Sequence, residues 1–423
     1  MKREYYDPPL VMCTSEHSNT MGAIAVLTEP VDGELLFEVV EKVRDRFPYF
    51  YVRAAVEGND LVTVPNPLPV TVRNTWAPIK LNSREANYHF MAVKYEGCRL
   101  AVEICHSLCD GAGFLPFFKS ILYCYLSSRT GKSFDPAGFR LPGDPIPETE
   151  IGDPFPGLDL DSVQKPLYEK DPIADFYKLS DVFPSDRGRK AFYLRVPEEQ
   201  VMKYCKEKDG SPNVLMSVLM IRAVGRIDPD NEKTVTAGIA FDHKAQLGNH
   251  DNYRQFADIV YVSIPRKYED EDIRSMCTIA RGQLMLQAQP ENSLFNLKRR
   301  KMGHAQMSQL PLEKKIEILK AAVTVPRATI SVSYANSRTF GPLDPYISEV
   351  YMMGEPTVIG VLCEIACHNH YFFLTFAQNF TDERYFEAFL KELEEAGISA
   401  EVRHKDNYDL CGVSYDDIDV PGL

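Results

Sequence analysis

His106-Ser107-Leu108-Cys109-Asp110-Gly111 stands where an apolar strand, 99–105, gives way to an apolar helix, 113–127. A strand end holds a side chain rigidly and the turn after it leaves that side chain reachable, so reactive groups are often mounted there. In the strand, Leu100, Val102 and Ile104 alternate with Arg99, Ala101, Glu103 and Cys105. Successive side chains point to opposite faces, so His106 falls on the Leu100 side and Cys105 on the other. The two are not a nucleophile–base pair. The helix carries Phe114, Leu115, Phe117, Phe118, Ile121, Leu122, Tyr125 and Leu126 and stops before Gly131, with Pro116 expected in its first turn. Asp110 can cap this helix or hold a cation, and Gly111 is expected to permit the turn. The spacing alone leaves two readings of His106 level: a base aimed into a cleft, or a buried structural histidine.

Outward from this point, strands are expected over 21–28, 49–54, 61–64 and 88–95, with an amphipathic helix over 33–46 that Pro48 ends. Residues 133–188 are rich in Pro, Asp and Gly and read as an interdomain crossover. Beyond it the pattern predicts strands at 191–196, 234–241, 257–264, 328–334, 357–366 and 370–377. Helices are expected near 197–208, 212–225 and 382–396 and through most of 267–320. Both halves mix strands with helices, and no repeat relates them.

The 423 residues exceed one ordinary core. A net charge of −13 argues against non-specific nucleic-acid binding and against an anionic membrane surface. No run approaches the roughly 18 apolar residues of a membrane span, and the start of the chain lacks the apolar stretch of a signal peptide. Ten cysteines, none in a Cys-x-x-Cys pair, fit a reducing cytosol, so a cytoplasmic location is expected.

The chain is wider in resemblance than its six-residue motif. His106-x-x-x-Asp110-Gly111 resembles the active-site motif of the chloramphenicol-acetyltransferase-like superfamily. That group includes alcohol O-acetyltransferases, polyketide-associated and plant acyltransferases, and condensation domains. Arg46-Phe47-Pro48-Tyr49-Phe50 resembles the family's Arg-x-Pro-x-Phe turn. Asp242-His243-Lys244 with Asn252-Tyr253 resembles its Asp-x-Arg…Asn-Phe segment, and Ser333-Tyr334-Ala335-Asn336 resembles its Ser-Asn-x-Gly strand end. The matches run in order over most of the chain and look closest to bacterial alcohol acetyltransferase-like proteins. Three positions depart from the pattern: Cys105 replaces a first histidine, Lys244 replaces the arginine, and Asn336 replaces the glycine.

The resemblance implies an α/β fold of two subdomains, each a mixed sheet with helices, with an active-site tunnel between them. The expected division is 1–135 for the first subdomain, 136–188 for the crossover and 189–423 for the second. It implies direct transfer of an acyl group from a thioester to an alcohol or amine, with no acyl-enzyme. His106 would be the general base, Asp110 a structural residue paired with a cation from the second half, and Gly111 part of the motif. Ser333 is the expected oxyanion donor. Tyr334, Asn336, Asp242, Lys244 and Asn252 are expected along the tunnel. No tightly bound cofactor is expected, and acyl-coenzyme A or an acyl carrier protein would be the co-substrate. A monomer is plausible. Two alternatives stand beside this: a condensation-type enzyme using a carrier-bound donor, and an inactive adaptor on the same fold.

Other clusters read differently. Lys298-Arg299-Arg300-Lys301 could hold coenzyme A phosphates, against a solvated helix face. Cys363-x-x-x-Cys367-His368-Asn369-His370 has zinc-ligand residue types, but His368-Asn369-His370 suits a hairpin turn, and no metal is expected.

Overall fold

The computed structural model describes residues 7–15, 18–155, 157–168, 175–184, 188–247, 249–265, 268, 272–335, 340–407 and 412–418. The first half runs β1 (Thr20–Leu27), α1 (Gly33–Val43), β2 (Val52–Glu57), β3 (Asp60–Pro65), β4 (Val72–Asn74), β5 (Met91–Glu96), β6 (Arg99–Cys105) and α2 (Gly111–Thr130). A short α3 (Glu148–Ile151) follows in the crossover. The second half runs β7 (Lys190–Pro197), α4 (Glu198–Glu207), α5 (Pro212–Ile227), β8 (Val235–Asp242), α6 (His243–Leu247) and β9 (Ala257–Ile264). Three helices come next: α7 (Ile273–Gln287), α8 (Pro290–Ser308) and α9 (Leu312–Val323). The chain then forms β10 (Ile330–Tyr334), β11 (Ile347–Gly354), β12 (Val361–His368), β13 (Tyr371–Gln378), α10 (Arg384–Glu395) and β14 (Glu401–Asn407).

Two large sheets result. The first has five strands in the order β11-β1-β6-β5-β4, the second seven in the order β14-β7-β13-β12-β10-β8-β9. One core cluster joins them, with Ile24, Val102 and Phe117 from the first half and Ala191, Tyr193 and Phe373 from the second. The other cluster lies between the second sheet and α4, α5, α7 and α10, around Leu219, Ile239, Phe376 and Phe389. These buried faces are what the apolar periodicity of the strands and helices records.

The sheets do not divide where the chain divides. β11 belongs to the expected 189–423 subdomain, yet it pairs antiparallel with β1, Gly354 opposite Met21 and Ile347 opposite Leu27. This strand and β14 escape the sequence reading, because their partners lie far away in the chain and local patterning does not register such a partner. The crossover is also more than a linker. Its Glu150 is buried and accepts 2.7 Å bonds from both Nη atoms of Arg46. The Tyr49 hydroxyl donates to the same carboxylate. Burial works against its ionisation, but the Arg46 and Tyr49 bonds prevail and hold it below the usual carboxylate range.

Two local expectations change. α2 begins at Gly111, so Pro116 is its sixth residue and lies beyond the first turn. Residues 48–50 form a 3-10 turn, and the strand starts only at Val52. The hairpin at His368-Asn369-His370 is present: His368 pairs with Tyr371, and Asn369 and His370 have φ of 45° and 65°. Positive φ at both central residues is the geometry of a tight two-residue turn. His368 itself is buried, with Nε2 2.8 Å from the Ile347 carbonyl.

Candidate active site

The antiparallel ladder continues past β6, since the His106 N–H donates to the Asn19 carbonyl at 3.0 Å. This holds the backbone of His106 at the strand's end. Its side-chain Nδ1 lies 3.0 Å from the Cys109 carbonyl oxygen. A carbonyl only accepts, so Nδ1 carries the hydrogen and the neutral ring keeps Nε2 as an open lone pair. His106 is half-buried and lines a cavity of about 500 Å³. Cys105 and Cys109 are buried, and burial pushes the Cys109 thiol well up, which removes it as a nucleophile.

Asp110 also borders the cavity, but its carboxylate is taken up by donors of the protein. Its Oδ1 caps α2 by accepting from the Gly113 N–H at 2.9 Å, and its Oδ2 accepts from the Phe256 N–H at 2.9 Å. Lys244 Nζ donates to Oδ1 at 2.7 Å and also to the carbonyls of Asn252 and Arg254, each at 3.0 Å. All three ammonium hydrogens are thus used, inside a site where Lys244 is 0% exposed. The pair joins α2 to the second half directly behind His106.

The motif glycine Gly111 and the nearby Gly113 have different tasks from the one expected of Gly111. Gly111 is not in the left-handed region, and a Cβ there would meet nothing within 4 Å. Its missing side chain leaves room at the cavity wall rather than a turn. Gly113 is the sterically demanded one, because its Cβ would lie 2.0 Å from the Tyr253 carbonyl oxygen.

Both sheets line the cavity: Met21 of β1 and Met352 and Met353 of β11, then Asp242 of β8, Ser333 of β10 and Glu364 of β12. Arg140 of the crossover and Lys119 of α2 also line it. Asp242 is raised by burial first and by the Asp110 charge second. Tyr334 lines the cavity too, but its ring sits 6.0 Å from Phe372 on the side of the second core. Lys244 and Asn252 stand behind the wall: Asn252 is 0% exposed and donates to the Thr149 and Gly152 carbonyls, each at 3.2 Å. Asn336 lies outside the described residues.

The basic cluster does not face the cavity. Lys298 donates to the carbonyls of Asp161 and Val163 at 2.9 and 2.8 Å, and Arg300 to those of Gln255 and Ala257 at 3.3 Å each. These side chains tie α8 to the crossover and to the start of β9. Arg299 is likewise not among the cavity-lining residues.

No family model matches the chain, and no curated protein matches it. Solved structures do. The TRI101 protein of F. graminearum, complexed with coenzyme A and deoxynivalenol, is 13% identical over 92% of this chain and 98% of its own, with a TM-score of 0.58. Polyketide synthase associated protein 5 from Mycobacterium tuberculosis is 12% identical over 88% and 92%, with a TM-score of 0.56. This chain has the chloramphenicol-acetyltransferase-like fold. The epimerization domain from the third module of tyrocidine synthetase B shares it, at 11% identity over 89% of each chain and a TM-score of 0.51. One fold thus carries proteins with differently named activities, so function must be argued from the cavity.

Of the cavity residues that escape the sequence reading, Glu364 is the acid. Glu364 stands on β12, beside Ser333 in the parallel register of β10 and β12. Burial raises Glu364 from 4.5 to about 7, against a smaller lowering by the neighbouring Ser333 hydroxyl. The only sequence signal is a lone acid inside the apolar run Val361-Leu-Cys-Glu364-Ile-Ala-Cys.

Proposed function

We propose that this protein is an acyltransferase that moves an acyl group from a thioester to an alcohol or amine, with His106 as general base. The observation that carries this reading is the Nδ1 bond of His106 to the Cys109 carbonyl, which in the neutral ring leaves Nε2 as a lone pair on a residue that lines a ligand-sized cavity. In the reaction, Nε2 takes the proton of the acceptor as its oxygen or nitrogen attacks the thioester carbonyl. The tetrahedral adduct then expels the thiolate, which recovers the proton from the imidazolium. Acyl and proton both end on stable products, and no acyl-enzyme is needed. Asp110 and Lys244 hold the start of α2 and do not touch substrate.

Acyl-coenzyme A is the proposed donor, with TRI101 complexed with coenzyme A as support from a protein of this fold. Ser333, the expected oxyanion donor, stands opposite Glu364 in the strand register, and both line the cavity. We therefore place Ser333 with Glu364 on the acceptor side.

Thiol release from short and long acyl-coenzyme A, against pooled alcohols and amines, tests the reading. His106→Ala is expected to lose about 10²–10⁴ of the rate. Equal rates in the two proteins would overturn the mechanism. Turnover only with carrier-bound donors would turn the reading to a condensation-type enzyme, and none with any donor would favour an adaptor.

A further inference from the structure

Glu364 is an ionisable group in a confined place, with no ionic partner among the described residues. It is partly exposed, and it lines the cavity. Among the described residues no Lys, Arg or His is paired with it, and its neighbour across the strands is the neutral Ser333. Gly354 leaves room for its Oε1, which would stand 2.8 Å from an added Cβ there. The cations on the wall are engaged elsewhere: Arg140 with Glu150 and Asp251 at 2.8 and 3.1 Å, and Lys119 over the Phe340 ring at 5.2 Å. An acid in such a place costs stability unless a cation or several donors reach it.

The register places this acid relative to His106. Gly354 is opposite Met21, and Met21 is opposite Ile104, two residues before His106. Two strand spacings, roughly 10 Å, therefore separate Gly354 from the strand that carries the base. Met21, Met352 and Met353 cover the wall near them. We propose that Glu364 is the acceptor-recognition residue: it binds an ammonium group at one end of a substrate whose reacting atom sits at His106. The acceptor class is then an amino alcohol or diamine with an apolar spacer. Ser333 orients the carboxylate. The proposal rests on the acyltransferase reading for the fate of the bound acceptor, and not for the binding itself.

Calorimetric titration with octylamine and with octanol at about pH 8, where an amine is still mostly charged, tests it. In the wild type, octylamine is expected to bind about tenfold tighter than octanol or better, as a charge-assisted bond gives. Glu364→Gln keeps the shape of the side chain and is expected to abolish the difference, while Ser333→Ala keeps most of it. Equal affinities in the wild type, or a preference that survives in Glu364→Gln, would overturn the proposal. A retained preference in a protein that transfers no acyl group would overturn the acyltransferase reading alone.

Discussion

Lys244 Nζ lies 2.7 Å from Asp110 Oδ1, and both side chains are buried. The two residues are 134 positions apart, so the pair exists only in the folded chain. Removing one partner leaves the other buried and charged. Asp110→Ala and Lys244→Met are each expected to cost about 3–5 kcal/mol. Urea unfolding of both variants measures this. A fully stable, inactive Asp110→Ala protein would show instead that the carboxylate takes part in the chemistry.

Gly111 and Gly113 separate space from sterics. Gly113→Ala forces a methyl onto the Tyr253 carbonyl and should destabilise by about 1–3 kcal/mol or more. Gly111→Ala meets open space and should leave the melting temperature nearly unchanged, because alanine also favours the helix. Any loss it causes belongs in acceptor or donor affinity, since the methyl enters the cavity. A thermal melt and a Michaelis analysis on each variant distinguish the two outcomes.

Glu150 fastens the crossover to Arg46 and Tyr49, and to Arg140 on the cavity wall. Glu150→Gln should strand the buried Arg46 charge and cost several kcal/mol, about 3–5 by analogy with broken buried pairs. It should also raise proteolytic cleavage between 133 and 168, which limited trypsin digestion can follow. Unchanged digestion would mean that the crossover is held by its apolar contacts alone.

Glu364 predicts a pH dependence of stability. Its pKa rises on folding from 4.5 to about 7, so between these values the native state holds a proton that the unfolded chain has lost. Stability therefore falls as the pH climbs through that window and stays lower above it. Glu364→Gln removes the loss. The variant should be more stable than the wild type by about 1–3 kcal/mol above pH 7 and equal to it near pH 4.5. Melting curves across this range check both limits. A group that weakens the fold where it stands is a candidate for use in function.

Much of this was legible along the chain. The strand before His106, the apolar helix after Asp110 and the pairing of α/β elements follow from periodicity, which is local. So does the hairpin at Asn369-His370, because the residue types tolerate positive φ. The strand 347–354 was not legible, since its place in the first sheet comes from β1, more than 300 residues upstream. Nor was the employment of Lys298 and Arg300, whose charge reads the same whether it meets a phosphate or a backbone carbonyl.

The sequence by itself determined the six residues that matter most and the elements on either side of them. It set a histidine at a strand end and a carboxylate at a helix start. Only the tertiary structure decided which way each one turned. Asp110 turns inward because Lys244 and the Phe256 N–H wait there. His106 lines the cavity with its Nδ1 held at the Cys109 carbonyl. Glu364 becomes a cavity residue only when β12 closes beside β10 and Gly354. Burial and distance between remote segments set those charges and tautomers, and neither quantity exists in an unfolded chain.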